Sequence, residues 1–350
     1  MIETPEVITS EEQLDNFLAR PYPELVEMMR RLEGDIMILG VGGKMGPSLA
    51  RLALNACQEA GVRKRIIGVS RFSDKTARKT LQQVGVETIV CDLSNVEEVE
   101  TLPAVRNVVF MPGRKFGGVG SESLTWMINT IVPANVARRF RDSNIVAFST
   151  GCVYALVPPD TSGSVETDPP GPVGEYSNAC LARERIFQYY SELYNTRVLL
   201  FRLNYAIDLR YGVLLDIAQN VYTGTPVDIS VSTVNVIWQG DANNRALLCL
   251  EHIASPPAIL NVTGAERLSV EALANQFAEI FGVDAKFTGV ESGKAYLSNA
   301  SRSIGLFGPP RVSVREMVQL VAEWVKRGGR TLGKPTLFEV TNGQFLAGEK

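Results

Sequence analysis

A glycine-rich turn between an apolar strand and a helix constrains the fold of this chain more than any other sequence feature. The run 36–39 is wholly apolar, as in a parallel strand that is buried on both faces. Pro47 then favours the first turn of a helix, predicted over 48–60. The residues between them are Gly40, Val41, Gly42, Gly43, Lys44, Met45 and Gly46. Backbone N–H groups free of side chains at the start of a helix bind phosphate, so this order of elements predicts a dinucleotide-binding turn.

Further short apolar strands follow the turn, and helical stretches separate them. The strands are predicted at 66–69, 88–90, 108–111 and 145–148. This alternation predicts an α/β fold with a Rossmann-type, doubly wound parallel sheet that binds ligands at the carboxyl ends of its strands. After residue 201 the alternation weakens, which indicates a smaller α/β lobe for the substrate.

The pattern divides the chain into four parts. We expect a helical extension over 1–33, a dinucleotide-binding domain over 34–203 with a returning segment at about 231–255, a substrate lobe over 204–230 and 256–330, and a C-terminal tail over 331–350. Within the lobe, Ser269 is the predicted N-cap of one helix, and a second helix is predicted over 313–326.

The composition limits the partners of this chain. Its 350 residues carry a formal net charge of −3, which disfavours nucleic acid or an anionic membrane as the main partner. We expect no transmembrane helix and no signal peptide, because no stretch is long and apolar enough. The five cysteines are dispersed without C-x-x-C spacing, so we expect reduced thiols and a cytoplasmic protein.

His252 is the single histidine of the chain. Histidine-based triads and multi-histidine metal sites are therefore excluded, and we expect no metal. We interpret His252 as a structural residue in the last turn of a helix, where a partial positive charge is favourable.

The residues after the second strand predict which nicotinamide cofactor binds. NAD-binding proteins usually have an acidic residue there for the ribose hydroxyls. This chain has Ser70 and Arg71 instead, and an arginine suits a 2′-phosphate. We therefore expect NADP as the preferred cofactor and NAD as the alternative. Asp92 and Leu93, after the third strand, are expected to lie at the adenine ring.

Several later motifs follow one another in an order that is shared by an enzyme family. They are Met111-Pro112-Gly113-Arg114-Lys115, Asn129, Ser149-Thr150-Gly151-Cys152-Val153-Tyr154, Arg202-Leu203-Asn204-Tyr205 and Ile237-Trp238-Gln239-Gly240-Asp241. Together with the glycine turn, they resemble the extended short-chain dehydrogenases, also called the NAD-dependent epimerase/dehydratase family, over about residues 34–326.

This resemblance implies redox chemistry at a hydroxyl or ketone. Members of the family oxidise a carbinol to a ketone, and many then epimerise or dehydrate the product. They use a Ser or Thr hydroxyl, a Tyr phenol and a Lys four residues after the Tyr, which lowers the pKa of the phenol. The resemblance implies that Thr150 is the hydroxyl and Tyr176 the acid/base. The cofactor contacts that it implies on the loops and helices are Met111, Pro112, Gly113, Lys115, Tyr176 and Leu203.

The fourth residue after Tyr176 is Cys180, where the family has lysine. One interpretation is an active redox site in which Arg183 or Lys115 replaces the lysine, with Asn129 as a further catalytic residue. A second is chemistry without a strongly activated phenolate, such as an elimination or a carbonyl reduction in which Tyr176 donates its proton. A third is a sensor or scaffold protein that binds NADP(H) without turnover.

The expected substrate is a small sugar, sugar acid or other polyol. Nucleotide-sugar members of the family usually have basic residues in the lobe, whereas the segment 229–236 is uncharged, which disfavours a UDP- or dTDP-sugar. Asn204, Tyr205, Trp238 and Gln239 form the expected polar and aromatic lining of the substrate site. The resemblance also implies a homodimer through helices near 121–141 and 176–194.

Overall fold

A seven-stranded parallel sheet forms the centre of the protein in the computed structural model, which describes residues 4–115 and 120–345. The strands, in chain order, are β1 (Ile36–Leu39), β2 (Ile66–Ser70), β3 (Glu87–Val90), β4 (Asn107–Phe110), β5 (Asn144–Thr150), β6 (Val198–Leu203), β7 (Ala206–Ile207), β8 (Val227–Asp228), β9 (Thr233–Val234), β10 (Ile237–Trp238), β11 (Ala258–Val262), β12 (Leu268–Ser269) and β13 (Phe287–Thr288). The order across the large sheet is β11-β6-β5-β4-β1-β2-β3, and the remaining strands form three two-stranded pairs.

Helices cover both faces of this sheet and build the lobe. They are α1 (Glu11–Leu18), α2 (Pro23–Arg31), α3 (Gly46–Ala60), α4 (Lys75–Gln83), α5 (Val96–Glu100), α6 (Glu122–Arg139), α7 (Gly174–Tyr194), α8 (Val213–Thr223), α9 (Gln239–Leu248), α10 (Val270–Phe281), α11 (Ser301–Phe307) and α12 (Val314–Lys326). Short 3₁₀ helices cover Gly151–Val153 and Cys249–Glu251. No helix in the described part of the chain is long and apolar enough to cross a membrane.

Strand β1 is buried on both faces, as its apolar run predicted. Ile36 and Ile38 pack into the core between the sheet and α3, whereas Met37 and Leu39 pack on the opposite face with residues of α6. All four side chains are 0% exposed. Burial of each such side chain stabilises the fold by roughly 1.5–3 kcal/mol, so β1 anchors the layers on both sides of the sheet.

The sheet reverses its order at β1, which lies between β2 on one side and β4 on the other in parallel register. Open α/β sheets bind ligands in the crevice at the carboxyl ends of their strands, where the order reverses. The glycine turn follows β1 and the 111–115 loop follows β4, so both open into this crevice. The predicted Rossmann-type sheet is confirmed.

Strand β11 corrects the expected boundary of the substrate lobe. It pairs in parallel with β6, from Ala258 beside Leu199 to Val262 beside Leu203. Residues 258–262 thus extend the central sheet, and the returning segment continues beyond residue 255. The physical reason is that β6 offers a free edge to the buried apolar residues Leu260 and Val262.

The predicted N-cap of the lobe at Ser269 is present, and Ser313 also proves to be an N-cap, with its helix beginning one residue later than predicted. The backbone N–H of Ala272 donates to Ser269 Oγ (3.2 Å) at the start of α10. The backbone N–H of Glu316 donates to Ser313 Oγ (3.3 Å), and the Glu316 carboxylate in turn accepts from the Ser313 backbone, which completes a capping box at α12.

Candidate active site

A cavity of about 840 Å³ opens at the carboxyl edge of the sheet. It is lined by residues of the glycine turn, the loop after β4, α7 and the lobe. Residues of the C-terminal segment, 331–345, complete the lining. The lining residues include Gly40, Gly43, Lys44, Met45, Gly46, Met111, Gly113, Arg114, Lys115, Tyr176, Arg183, Tyr211, Gln239, Gly333, Lys334 and Pro335. A second cavity of about 400 Å³ continues from it past the ends of β2 and β3.

The glycine turn has no room for side chains on its inner side. Gly40 has φ +80, and a Cβ there would lie 2.9 Å from the backbone nitrogen of Pro112. A Cβ at Gly46 would lie 2.3 Å from the Val41 carbonyl oxygen, so only glycine lets α3 begin this close to the turn. The result is a concave stretch of backbone at a helix N-terminus, as phosphate binding requires.

The second cavity contains the residues that we expected at the adenosine end of the cofactor. Ser70, Arg71, Asp92 and Leu93 line it, together with Gly42 and Pro112. Asp92 Oδ1 accepts from Ser94 Oγ at 2.7 Å. This hydrogen bond, helped by the charge of Arg71, lowers the pKa of the Asp92 carboxyl. The cavity thus holds a carboxylate beside an exposed arginine.

Tyr176 and Thr150 both line a smaller extension of the cleft, which Leu203 also lines. Tyr176 sits in the first turn of α7. Thr150 ends β5, and its Oγ1 accepts from the backbone N–H of Cys152 at 3.2 Å. Burial raises the pKa of the Tyr176 phenol well above its usual value of 10. The structure therefore holds this phenol in its protonated form.

Cys180 is a neutral thiol one turn after Tyr176. Its side chain is 0% exposed and packs against Val153 and Tyr154. Burial raises its pKa to about 11, and the thiol is hydrogen-bonded with the Tyr176 phenol. Position 180 therefore supplies no positive charge to the tyrosine.

Arg183 is a cation that lines the main cavity together with Tyr176. Its guanidinium is 4% exposed, donates to the Phe148 carbonyl oxygen at 2.8 Å and also donates to Asn129 Oδ1. Gly113 makes room for it, since a Cβ there would lie 2.9 Å from Arg183 Nη2. Its charge acts to lower the pKa of Tyr176, against the larger effect of burial. Arg183 Nε is buried without a hydrogen-bond partner in the described residues.

Asn129 ties the arginine to the loop after β4. Its Oδ1 accepts from Arg183 and from the backbone N–H of Arg114 (3.3 Å), and its Nδ2 donates to the Arg114 carbonyl oxygen (3.0 Å). Asn129 is 0% exposed and thus positions Arg183 from below the cavity.

Lys115 lies on another side of the cavity, against the C-terminal segment. Its Nζ donates to the Thr336 carbonyl oxygen at 2.9 Å and lies 4.3 Å from the ring centroid of Phe345. Phe345 in turn meets Tyr176 edge-on, with ring centroids 5.8 Å apart. Burial lowers the pKa of Lys115. Both cations proposed to replace the lysine thus line the cavity that contains Tyr176.

Three of the four residues expected to form the lining of the substrate site do line the cleft, and the fourth does not. Asn204 and Tyr205 line the extension with Thr150, and Gln239 lines the main cavity while it donates to Ser48 Oγ (3.0 Å). Trp238 does not line the cleft. It is 1% exposed and its ring packs against Phe17 of α1, 5.4 Å between centroids, because the N-terminal helices cover that side of the lobe.

A buried polar network lies under this wall and was not expected from the sequence. Arg202 of β6 donates to Glu184 of α7 through Nε (2.9 Å) and Nη2 (2.7 Å), and through Nη1 to the Tyr154 hydroxyl (2.6 Å). Ser149 also donates to Glu184. No local sequence signal shows it, because its members come from different elements.

The C-terminal segment was also missed as part of the site. Leu332 donates from its backbone to the Arg210 carbonyl oxygen (2.9 Å), and Phe338 is buried in the lobe core. Gly333, Lys334 and Pro335 line the main cavity. The segment has no helical or strand periodicity, so its residues gave no signal.

His252 lies away from this cavity. It ends a 3₁₀ helix, its ring packs against Phe307 (5.3 Å between centroids), and burial lowers its pKa. That shift is opposite to the one expected for a charged residue at a helix end. The described residues contain no cluster of His, Cys, Asp or Glu that could hold a metal.

Comparison with known proteins shows which proteins this chain is similar to. A search of curated protein sequences found no match. Pal from Bacillus thuringiensis has a similar structure, with a TM-score of 0.68 and 17% identity over 83% of this chain and 99% of that chain. UDP-glucuronic acid 4-epimerase from Bacillus cereus, solved with NAD, gives a TM-score of 0.69 and 16% identity over 84% and 99% of the two chains. dTDP-glucose 4,6-dehydratase from Streptomyces venezuelae, also solved with NAD, gives a TM-score of 0.69 and 16% identity over 84% of this chain and 98% of that chain. The family model for the NAD dependent epimerase/dehydratase family matches residues 36–207. Over residues 36–207, this chain is similar to that family, and it shares the fold of the solved structures named above.

Proposed function

We propose that this protein is an NAD(P)-dependent oxidoreductase or epimerase/dehydratase that acts on a hydroxyl or ketone of a small, sugar-like substrate. The observation that supports it best is the protonated Tyr176 phenol, which shares a cleft with Thr150, Arg183 and the glycine turn. The relatives solved with NAD are a nucleotide-sugar epimerase and a nucleotide-sugar dehydratase, which supports a nicotinamide cofactor and a carbohydrate-like substrate.

The residues of the cleft fit a nicotinamide dinucleotide. The concave glycine turn would hold the pyrophosphate, and Arg71 would hold the 2′-phosphate of NADP, our preferred cofactor, with NAD as the alternative. The unpartnered Arg183 Nε gives the cavity a buried donor for the nicotinamide ribose. Arg183 thus takes the place of the lysine that position 180 lacks.

The chain's own residues favour reduction of a carbonyl group. When bound in the cleft, a reduced nicotinamide would supply the hydride for the carbonyl carbon. Tyr176 donates its phenolic proton to the carbonyl oxygen, and the Thr150 hydroxyl donates a hydrogen bond to the same oxygen. The charge of Arg183 stabilises the phenolate that remains, until a proton from solvent restores the phenol.

The test follows nicotinamide absorbance while the enzyme is offered aldose, ketose, keto acid and lactone substrates. Tyr176→Phe should lower kcat by about 100-fold or more, because the variant has no proton to donate. Tyr222→Phe is the matched control, since Tyr222 is an exposed tyrosine of the lobe and should keep the wild-type rate. A Tyr176→Phe enzyme with the wild-type kcat would show that the catalytic assignment is wrong.

A second candidate is a sensor or scaffold protein that binds NADP(H) without turnover. The neutral, fully buried Cys180 supports it, because position 180 supplies no cation to Tyr176. It predicts tight cofactor binding and no change in absorbance with any substrate of the panel. Turnover of a single substrate would eliminate it.

We also propose a homodimer formed through α6 and α7. These helices carry exposed apolar side chains: Trp126 (37%), Ile131 (50%), Tyr189 (61%) and Leu193 (53%). Such a surface favours burial against a second copy. Sedimentation of the wild type and of Ile131→Glu tests it, since a charge at the interface should give monomers. A reducing cytoplasm fits the five buried free thiols.

A further inference from the structure

The main cavity has an excess of positive charge. Its cationic side chains are Lys44, Arg114, Lys115, Arg183 and Lys334, and no Asp or Glu is among the described residues that line it. This contrasts with the formal net charge of −3 of the whole chain. The two phosphates of a dinucleotide neutralise only part of the excess, and the 2′-phosphate of NADP would lie in the other cavity, at Arg71.

Lys44 points away from the backbone cradle of the glycine turn. Its Nζ lies 3.2 Å from the ring centroid of Tyr211, a residue of the lobe. A cation is held in this way by the negative face of the aromatic ring. The ammonium group of Lys44 is therefore directed across the cavity, toward the lobe and the C-terminal segment.

Two further ammonium groups lie at the C-terminal segment: Lys115 contacts the segment, and Lys334 belongs to it. Lys115 Nζ donates to the carbonyl oxygen of Thr336, and the backbone N–H of Thr336 donates to Asp216 Oδ2 (2.7 Å) of α8. This anchor fixes the chain two residues after Lys334, whose side chain lines the cavity. Lys44, Lys115 and Lys334 therefore line the same cavity, and the charges of Lys115 and Lys334 act on Lys44.

These three groups repel one another in a partly desolvated space. Burial and, after it, the charges of Lys115 and Lys334 lower the pKa of Lys44 to about 7. Like charges at short range inside a protein raise the free energy of the charged state. An anion placed between them would remove this cost and would form charge-assisted hydrogen bonds with them.

We propose that Lys44, Lys115 and Lys334 form a subsite for an anionic group of the substrate, a carboxylate or a phosphate, which the C-terminal segment completes. This inference rests on the proposed function, since it names the class of substrate for the same cleft. It places the anion in the part of the cavity next to Tyr211 of the lobe and the C-terminal segment.

The test uses titration calorimetry on the protein saturated with the dinucleotide that it binds. The three probes differ in charge: glucuronate has a carboxylate, glucose 6-phosphate has a phosphate, and glucose has neither. We expect one of the two charged probes to bind at least about tenfold more tightly than glucose, as for a gained charge-assisted hydrogen bond. Which of them binds identifies the anionic group.

Variants then locate the anion. Lys334→Gln should weaken binding of the charged probe by about tenfold or more, whereas Lys334→Arg, which keeps the charge, should stay close to wild type. Lys286→Gln is the matched control, because it removes an exposed lysine of the lobe outside the cavity. Equal affinity for glucose and both anions, or no binding of either anion, would overturn the inference. So would a Lys334→Gln variant that binds the anion as wild type does.

Dinucleotide affinity, measured first on every variant, separates the two proposals. A wild-type protein that binds neither NAD nor NADP would contradict the proposed function. Normal dinucleotide binding without anion binding would contradict this inference alone. If Lys334→Gln weakens only dinucleotide binding, the lysines serve the cofactor and the inference is wrong.

Discussion

Arg202 and Glu184 form a bidentate ion pair under the active-site wall, and each side chain is only 3% exposed. The pair joins the last residues of β6 to the middle of α7, the helix that also holds Tyr176 and Arg183. A buried pair of this kind keeps two elements in register, because neither charge has water as an alternative partner.

Glu184→Gln should destabilise the protein by about 3–5 kcal/mol, since it leaves the Arg202 guanidinium buried without a counter-charge. The double variant Glu184→Met with Arg202→Met should recover most of that loss, because it removes both charges. Urea denaturation of the single variants Glu184→Met and Arg202→Met and of the double variant measures the coupling. A double variant that is as unstable as the sum of the singles would show that the pair is not coupled.

Lysine cannot simply be restored at position 180. Cys180→Lys would put a second cation beside the buried Arg183, in a site that is 0% exposed, and should lower the free energy of unfolding by about 3 kcal/mol or more. Cys180→Ser, which is close in size, serves as the control. Thermal unfolding and the rate of NAD(P)H oxidation measure the outcome. A stable Cys180→Lys enzyme with a higher rate would contradict the role given to Arg183.

Arg71 should decide the choice between the two cofactors. Arg71→Ala should weaken NADP binding by about tenfold, the loss expected for a charge-assisted hydrogen bond to phosphate, and leave NAD binding nearly unchanged. Arg63→Ala, at an exposed position outside both cavities, is the control. Fluorescence titration with both reduced cofactors measures the two affinities. An unaltered preference in Arg71→Ala would remove Arg71 from the cofactor site.

The affinity for an anionic probe should fall as the pH rises above about 7. The pKa of Lys44 is lowered to about 7, mainly by burial, so the ammonium form that binds the anion is complete below this pH and is lost above it. The charged and titratable groups that act on it are Lys115, Lys334, Asp208, Asp216 and Tyr211.

Calorimetry in steps from about pH 6.5 to about pH 9 measures this dependence. The Lys44→Met variant should bind the probe more weakly at the lowest pH and should show a flatter profile, because Lys44 no longer titrates. A wild-type affinity that stays constant across this range would contradict the role of Lys44.

The sequence by itself determined the elements whose cause is local. The apolar run before Gly40, the glycines without side chains and Pro47 specify strand, turn and helix within a few residues of one another. The caps at Ser269 and Ser313 are local in the same sense, because a serine hydroxyl and the N–H three residues on need no other part of the chain. The strand, the turn, the helix after it and the Ser269 cap formed where they were predicted.

Only the tertiary structure decided which residues share the cleft. Trp238 and Gln239 are neighbours in sequence, yet one packs on Phe17 and the other lines the cavity, because the start of α9 directs them apart. Arg183 lies two helix turns after Tyr176, and Gly113 leaves room for its guanidinium in the cavity. Lys334, by contrast, reaches the cavity from a distant part of the chain. Long-range packing leaves no periodic pattern in a sequence. The place of the C-terminal segment and of Lys334 in the cavity was therefore not predicted.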